Sequence, residues 1–393
     1  MQKSNSKIEY TSKNLQLRKV LFIVFILVAL FSFGIAAKNL FSWQPEYRIV
    51  ENNVVDGNEV ILKYCADSKA EYEAVKNIYN ESYQKIYNLL DESSIYEGTN
   101  NIAYINAHPN QKIKVDGLLY EQLNLLAEYD NNSIALAPIY ELYKGMFSCD
   151  ADYQLVDYDP LLNAEIAEYV QKLLSFINDK NHLSIELFED NYVELHVSDQ
   201  YRQFAQENDI NSYIDFYWLK NSFIIDYIAQ QLLASGYDQG VLSCYNGYFR
   251  FLSNDALTYH YYDLVSDDSI ELIADLNYAQ PVAGVQYRSY RLLDFDFLIN
   301  YTLENGEKRT CYIDNKDGLS KAPLSSLNIY SYQDNCTNLL LKSMKYYITD
   351  NFKWEELDKQ DFYYYYLEGL QLNYNDKNLD IEVVYPQCSL NLR

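Results

Sequence analysis

The sequence predicts an α+β fold from three observations. Apolar residues recur with the period of an amphipathic helix in three segments, 70–90, 117–129 and 161–178. Two alternating apolar and polar stretches, 183–188 and 192–197, flank the polar turn Glu189-Asp190-Asn191 and predict a β-hairpin. Beyond residue 280, tyrosine-rich alternating segments predict an antiparallel sheet.

The other elements follow from the same two periods. A short apolar run, Val60 to Tyr64, comes after the turn signal Asp56-Gly57 and predicts a strand. A helical pattern over 223–235 stops at Gly236, which suits a helix C-cap. Further strands are predicted at 240–244, 248–252, 286–293, 297–303 and 309–313, and a further helix at 339–348. Neither a solenoid repeat nor a Pro- or Gly-rich linker marks a domain boundary.

One run of aromatic residues has two interpretations. Tyr363 to Tyr366 follow Phe362 and suit a stacking platform for a sugar or a flavin. The interpretation we favour is a strand whose rings alternate between core and solvent, because tyrosine suits a half-buried sheet.

Composition excludes several classes of function. The chain has 393 residues and a net charge of −25, which rules out a large electrostatic attraction to nucleic acid. Hydrophobic residues make up 49% of the chain and aromatic residues 16%, so it has enough apolar material to fold. With only 12 glycines, it is poorly suited to a mechanism that needs several glycine-rich phosphate loops.

The N-terminal region predicts a membrane anchor. Val20 to Ala37 carries no charge and would be roughly 27 Å long as a helix, which just spans a bilayer. Basic residues precede this segment and only Lys38 follows it at once, so the positive-inside rule keeps the N-terminus cytoplasmic. We therefore predict a single-pass protein of the cell membrane, with its main domain outside.

The predicted organisation has four parts. Residues 1–19 form a basic cytoplasmic tail, 20–37 the transmembrane helix, 38–48 a tether and 49–393 the extracytoplasmic domain. The alternative is a cleaved signal peptide, because Ile35-Ala36-Ala37 offers small residues for a peptidase. The long basic region and the long apolar run favour the uncleaved anchor.

Cysteine and histidine patterns identify no metal site. The chain has six cysteines, and outside the cell they permit three disulfides in 15 connectivities or, alternatively, buried free thiols. No C-x-x-C pair is present, and the four histidines show no ligand spacing. A P-loop, H-E-x-x-H, G-x-S-x-G and G-x-G-x-x-G are also absent, which removes support for the commonest enzyme classes.

Six segments together resemble the motifs of one family. Ile214 to Asp226 resembles L-D-L-G-G-I-A-K-G-Y-A-V-D, with both aspartates in place. The other five segments are Tyr104 to Asn106 (S-x-I-x-x-L-N), Ala137 to Tyr143 (G-P-L-x-x-L-W), Cys244 to Tyr248 (N-A-G-G-D), Cys311 to Gly318 (H-I-I-D-P-R-T-G) and Thr337 to Lys342 (A-D-A-L-A-T). In this order and spacing, they resemble the FAD:protein FMN transferases, the ApbE-like family.

The resemblance implies a fold, a chemistry and a set of site residues. The fold would be a two-part ApbE-like one, with antiparallel sheets flanked by helices and FAD in the cleft. Such enzymes use a divalent metal, usually magnesium, to cleave FAD and pass FMN to a Thr or Ser of an exported redox protein. The residues that fall at the family's flavin-binding positions are Asn106, Pro138, Tyr143, Asp215, Tyr217, Trp218, Asn221, Asp226, Asn246, Gly247, Cys311 and Asp314. Asn338 and Lys342 fall at its metal-ligand positions.

The departures from the family pattern lie on residues that would do chemical work. Tyr217-Trp218 replaces Gly-Gly, and Asn221 replaces the family's Lys. Ser222 replaces a Gly and Tyr248 an Asp. Asn338 and Lys342 replace an Asp and a Thr, which argues against magnesium binding because an ammonium repels a cation.

The sequence leads to one hypothesis and two alternatives. The leading hypothesis is a membrane-anchored extracytoplasmic ApbE-like protein that is degenerate at the metal and flavin-phosphate positions and that retains flavin or partner binding. One alternative is an active transferase, with an exported flavin-acceptor protein as its partner. The other is an interaction module that binds cell-wall glycan or a membrane partner through aromatic and acidic residues.

Overall fold

The computed structural model describes residues 43–53, 59–148, 158–266, 269–292, 300–303 and 306–393, and scattered residues between 19 and 32. Residues 1–18 of the predicted tail lie outside the described residues, as do most of the predicted transmembrane segment and residues 38–42 of the tether. No helix in the described part of the chain is long and apolar enough to cross a membrane.

From residue 43 onward the described chain contains strands and helices in mixed order. The strands are β1 (Tyr47–Ile49), β2 (Val60–Cys65), β3 (Lys112–Lys114), β4 (Leu183–Phe188), β5 (Tyr192–Val197), β6 (Gly240–Cys244), β7 (Tyr248–Phe251), β8 (Leu257–Ser266), β9 (Ser269–Tyr278), β10 (Val282–Arg288), β11 (Asn300–Thr302), β12 (Lys308–Thr310), β13 (Ser326–Ser331), β14 (Tyr363–Glu368), β15 (Gln371–Tyr374), β16 (Asp380–Val383) and β17 (Ser389–Leu392). The helices are α1 (Lys69–Leu90), α2 (Ile102–Ala107), α3 (Gly117–Glu128), α4 (Ala137–Ser148), α5 (Ala164–Ile177), α6 (Asp199–Glu207), α7 (Lys220–Ala234), α8 (Cys336–Tyr347) and α9 (Trp354–Leu357).

A large sheet organises the molecule. In the described residues its strand order is β1-β2-β6-β7-β10-β13-β14-β15-β17, and the pairing is antiparallel except between β15 and β17. Smaller sheets have the orders β3-β5-β4, β16-β9-β8 and β11-β12. The fold is therefore α+β with antiparallel sheets flanked by helices, as predicted.

The two faces of the large sheet are covered differently. Helices α1, α7 and α8 pack together over one face and enclose the larger hydrophobic core. The sheet formed by β8, β9 and β16 contributes to a second core, which contains Phe249, Tyr261, Tyr278, Tyr330 and Tyr365. Central strands therefore have buried side chains on both faces.

Several local predictions are confirmed, because short-range signals determine those elements. Helix α1 begins after Ser68, whose hydroxyl accepts a hydrogen bond from the backbone N–H of Glu71. In the predicted hairpin, Asp190 and Asn191 have φ angles of 59° and 62°, which turn residues of this type tolerate. Helix α7 ends before Gly236, whose φ is +83°.

The structure corrects the prediction for the tyrosine run and decides the state of the described cysteines. The prediction that the Tyr363–Tyr366 rings alternate between core and solvent is wrong, because Tyr364, Tyr365 and Tyr366 are all buried. The second core covers the face that was expected to meet solvent. The described cysteines are free thiols, and Cys149 lies outside the described residues.

Candidate functional site

The segment before helix α7 is held by hydrogen bonds to its own backbone. The amide of Asn106 donates to the Ile214 carbonyl at 2.9 Å and accepts from the N–H groups of Tyr213 and Ile214. Asp215 Oδ1 accepts from the Tyr217 N–H at 2.7 Å. The side chain of Asn106 therefore positions this segment.

A buried ion pair lies beside that segment. Asp215 is only 1% exposed, and its Oδ2 is 2.8 Å from Lys144 Nζ. Lys144 also contacts Glu141 Oε1 at 2.7 Å. Burial acts to lower the pKa of Lys144, but its charge interaction and hydrogen bond with Asp215, together with the Glu141 contact, outweigh burial and raise that pKa. Lys144 is thus held as a cation that is already paired with Asp215 and Glu141, and Glu92 Oε1 also lies 3.9 Å from its Nζ.

Tyr217 has the backbone conformation of a glycine. Its φ is 39°, in the left-handed region that costs a residue with a Cβ. Its ring lies 5.0 Å from the ring of Tyr140, and Lys144 Nζ lies 4.6 Å from its centroid. The family motif that this segment resembles has Gly at this position. This chain therefore retains the strained turn and adds an aromatic side chain that packs on its neighbours.

Trp218 belongs to an aromatic cluster inside the core. Its ring lies 5.1 Å from that of Tyr312 and 6.4 Å from that of Tyr287, both edge-on. Its carbonyl accepts hydrogen bonds from Asn246 Nδ2 and the Tyr248 hydroxyl, each at 3.0 Å. The side chain is 6% exposed, so it fills interior volume.

Asn221 stands where the resembling motif has lysine. Its Nδ2 donates to Glu59 Oε2 at 2.8 Å and to Asn246 Oδ1 at 3.2 Å. Its Oδ1 is buried and has no hydrogen-bond partner. Gly247 in the adjacent turn has a φ of +97°, and a Cβ there would lie 2.2 Å from the Gln286 carbonyl oxygen. This turn therefore requires glycine.

Asp226 anchors the start of helix α8. Its carboxylate accepts hydrogen bonds from the N–H groups of Cys336 at 3.1 Å and Thr337 at 2.7 Å. Arg250 Nη1 is 2.6 Å from the same carboxylate. A fixed carboxylate thus satisfies backbone N–H groups at the helix N-terminus, where an anion is favoured.

The two residues predicted to fall at metal-ligand positions are linked to one aspartate. Asn338 Nδ2 donates to Asp334 Oδ1 at 2.8 Å, and Lys342 Nζ donates to Asp334 Oδ2 at 2.6 Å. Asp361 Oδ2 lies 3.3 Å from the same ammonium. The hydrogen bond to Asp334 is the largest effect on Lys342, and it raises the pKa of the ammonium despite partial burial. In the described part of the chain, no three His, Cys, Asp or Glu side chains group to hold a metal ion.

The remaining predicted residues have varied surroundings. The Tyr143 hydroxyl accepts from the Ser320 N–H at 3.2 Å, and Asp314 Oδ1 accepts from the Lys316 N–H at 3.0 Å. Cys311 is buried, and burial raises the pKa of its thiol. Pro138 lines a separate surface cavity.

That cavity also contains Asn106 and has a volume of about 630 Å³. The carboxylates on its wall are those of Glu92, Glu141 and Asp209. Lys220 Nζ is 3.0 Å from Glu92 Oε2, so this lysine is paired as well. An acidic cavity whose neighbouring lysines are already paired does not favour a diphosphate.

Some of the site residues predicted from the sequence lie together in the structure. Trp218, Asn221, Asn246 and Gly247 do meet, and Asp215 lies beside Tyr217. The sequence did not predict the side chains that form hydrogen bonds or ion pairs with the polar groups near the site. These are Glu59, Glu92, Lys144, Asp334 and Asp361. The sequence signal available for Lys144 was its place directly after the Ala137 to Tyr143 segment.

Comparison with known proteins gives a match in structure alone. No protein-family profile and no curated protein matches the sequence. The ApbE protein from Thermotoga maritima superposes with a TM-score of 0.59 at 13% identity, over 86% of this chain and 97% of that one. The chain has the ApbE fold. A variant of the flavin transferase ApbE from Vibrio cholerae gives a TM-score of 0.53 at 11% identity, over 87% of this chain and 98% of that one.

The residues present do not fit the magnesium and FAD that the ApbE-like resemblance implies. At the metal positions, an amide and an ammonium share one carboxylate. At the lysine position, Asn221 carries a buried oxygen without a partner, which would repel phosphate oxygens rather than bind them. Tyr217 and Trp218 occupy space beside the turn that Gly-Gly would leave open.

Proposed function

We propose that this chain is a membrane-anchored, extracytoplasmic protein that uses the ApbE fold for binding and does not carry out metal-dependent FMN transfer. The observation that carries the proposal is the pairing of Lys342 with Asp334 at the position of the metal ligands. A divalent cation placed there would face an ammonium a few ångströms away. Asp334 could still offer oxygen, but it already accepts hydrogen bonds from both Lys342 and Asn338.

Among the described residues near Asn221, free cationic side chains that would neutralise the charge of a pyrophosphate are also lacking. Transfer of a phosphorylated group is catalysed mainly by positioning the phosphates and neutralising their charge. Asn221 supplies no charge, and the nearby cations Lys144 and Lys220 are paired with carboxylates. The fold is retained while the groups that would neutralise a pyrophosphate are missing or engaged.

The location in this proposal is supported by the sequence of the N-terminal region. Val20 to Ala37 is uncharged, and the basic residues cluster before it. Protease added to intact cells should digest the chain after Lys38 and spare the N-terminal tail. A mature chain that is released into the medium and begins near Lys38 would contradict the anchor.

A transfer assay tests the functional part. Full-length protein in detergent is incubated with FAD, magnesium and an acceptor protein that an active flavin transferase modifies in a parallel reaction. After denaturation, fluorescence on the gel should show covalent FMN only in the parallel reaction. Covalent FMN on the acceptor in the reaction that contains this protein and no other transferase would overturn the proposal. The absorption spectrum after adding FAD then tells whether flavin binds without transfer.

A further inference from the structure

We infer that the β1 edge of the large sheet lies against the lipid bilayer, with Trp43, Tyr47 and Ile49 at the interface. This inference rests on the proposed membrane anchor. The bilayer surface is the proposed partner of this edge.

The short connection limits how far the domain can be from the membrane. Only residues 38–42 separate Ala37, the end of the predicted transmembrane segment, from Trp43. Even fully extended, that connection reaches about 20 Å. The headgroup region takes up part of that length, so the surface around Trp43 lies close to the lipid.

Trp43 is fixed to the folded domain. Its Nε1 donates to the Ala66 carbonyl at 2.6 Å, and its ring lies 5.7 Å from that of Tyr72. The Arg48 guanidinium lies over the Trp43 ring, 4.1 Å from its centroid. Because Trp43 is held in this way, bringing it to the membrane also orients β1.

The exposed residues on β1 suit a membrane interface. In the described sheet, β1 pairs with β2 and forms one edge. Tyr47 is 39% exposed and Ile49 is 62% exposed, and because they are two residues apart in β1 their side chains lie on the same face of the strand. Tryptophan and tyrosine prefer the headgroup level, and Ile49 adds apolar area.

The charges around this edge favour a zwitterionic surface over an anionic one. Arg48 pairs with Glu46, and Lys76 pairs with Glu51, so the nearby cations are neutralised. The electrostatic attraction between this edge and anionic lipid headgroups is therefore small. We assign a phosphatidylcholine-like interface to this edge.

Depth-dependent quenching of tryptophan fluorescence tests the inference. Full-length protein is reconstituted into phosphatidylcholine vesicles with and without brominated phosphatidylcholine. Three variants are compared: Trp43→Phe, Trp354→Phe, and the double variant Tyr47→Ser with Ile49→Ser. Trp354 is the matched control, since it packs beneath Arg393 next to β17, which forms the opposite edge of the sheet.

We expect quenching to be lost in Trp43→Phe, retained in Trp354→Phe and reduced in the double variant. Protein that floats with the vesicles but shows the same quenching in all three variants would overturn the inference and leave the anchor intact. Protein that does not float with the vesicles would overturn the anchor itself and, with it, this orientation.

Discussion

The ammonium of Lys342 and the carboxylate of Asp334 form an ion pair of 2.6 Å across the first two turns of helix α8. Asn338 donates to the second oxygen of the same carboxylate. Both residues at the family's metal-ligand positions thus contact one side chain of this chain. The pair gives a physical reason why the fold can persist without a cation at that point.

Removing the Lys342 ammonium should destabilise the protein modestly. We expect Lys342→Met, which keeps most of the apolar stem, to lower the free energy of unfolding by about 1 kcal/mol, as for other partly exposed pairs. Denaturant unfolding of Lys342→Met, Asp334→Asn and the double variant gives the coupling between the two residues. A coupling indistinguishable from zero would show that the pair contributes nothing.

The conformation of Tyr217 predicts an unusual order of stability. Tyr217→Gly and Tyr217→Ala both lose the contacts with Tyr140 and Lys144. Since φ is 39°, we expect the glycine variant to be more stable than the alanine variant, by about 1 kcal/mol. Thermal or denaturant unfolding measures the difference. Alanine equal to or better than glycine would mean that the turn is not strained in solution.

Buried tyrosines should make the protein sensitive to alkali. Burial raises the pKa of Tyr259 to about 12 and raises the pKa values of Tyr287, Tyr312 and Tyr347 as well. An unfolded tyrosine has a pKa of about 10. The folded state therefore favours the neutral phenol, so this stability is complete below about pH 10 and is lost as the pH rises through the folded pKa values.

The measurement is the free energy of unfolding as a function of pH, together with the phenolate absorbance. Tyr312→Phe removes one buried phenol and should make the decline above pH 10 less steep. Tyr158→Phe is the control, because Tyr158 is 48% exposed. Phenolate absorbance that titrates fully before the chain unfolds would contradict the prediction.

Local signals predicted much of the fold. The predicted hairpin has the observed strand bounds, and helices α1, α3 and α5 begin and end within a few residues of the prediction. Hydrophobic periodicity and turn residues suffice for such elements. The pairing order of the large sheet depends on contacts between remote segments, such as β10 with both β7 and β13, which no local pattern contains.

The hairpin of β8 and β9 shows a further reason for a missed element. Asp263 on β8 is buried and accepts hydrogen bonds from Tyr261 and Ser326. A carboxylate at an inward position interrupts the apolar alternation that would identify the strand. Its partner Ser326 comes from β13, far along the chain.

For the candidate site, the sequence predicted the order of the motif residues along the chain but not their contacts. The spacing of Asp215 and Asp226 identified the segment that leads into α7, and the structure places both in fixed hydrogen-bonded positions. The carboxylate partner of Asn221 could not be predicted, because Glu59 is 162 residues away in sequence. Which charges are already paired is a property of the folded surface, and it decides what the site can hold.

The absence of a metal site at Asn338 and Lys342 is best tested by manganese binding to the full-length protein, measured by calorimetric titration with and without FAD. Wild type, Lys342→Ala and the double variant Asn338→Asp with Lys342→Thr are compared. We predict a saturable site only in the double variant, because it restores a carboxylate and a hydroxyl and removes the ammonium. A saturable site of micromolar affinity in the wild type that survives in Lys342→Ala would show that this chain binds a divalent metal.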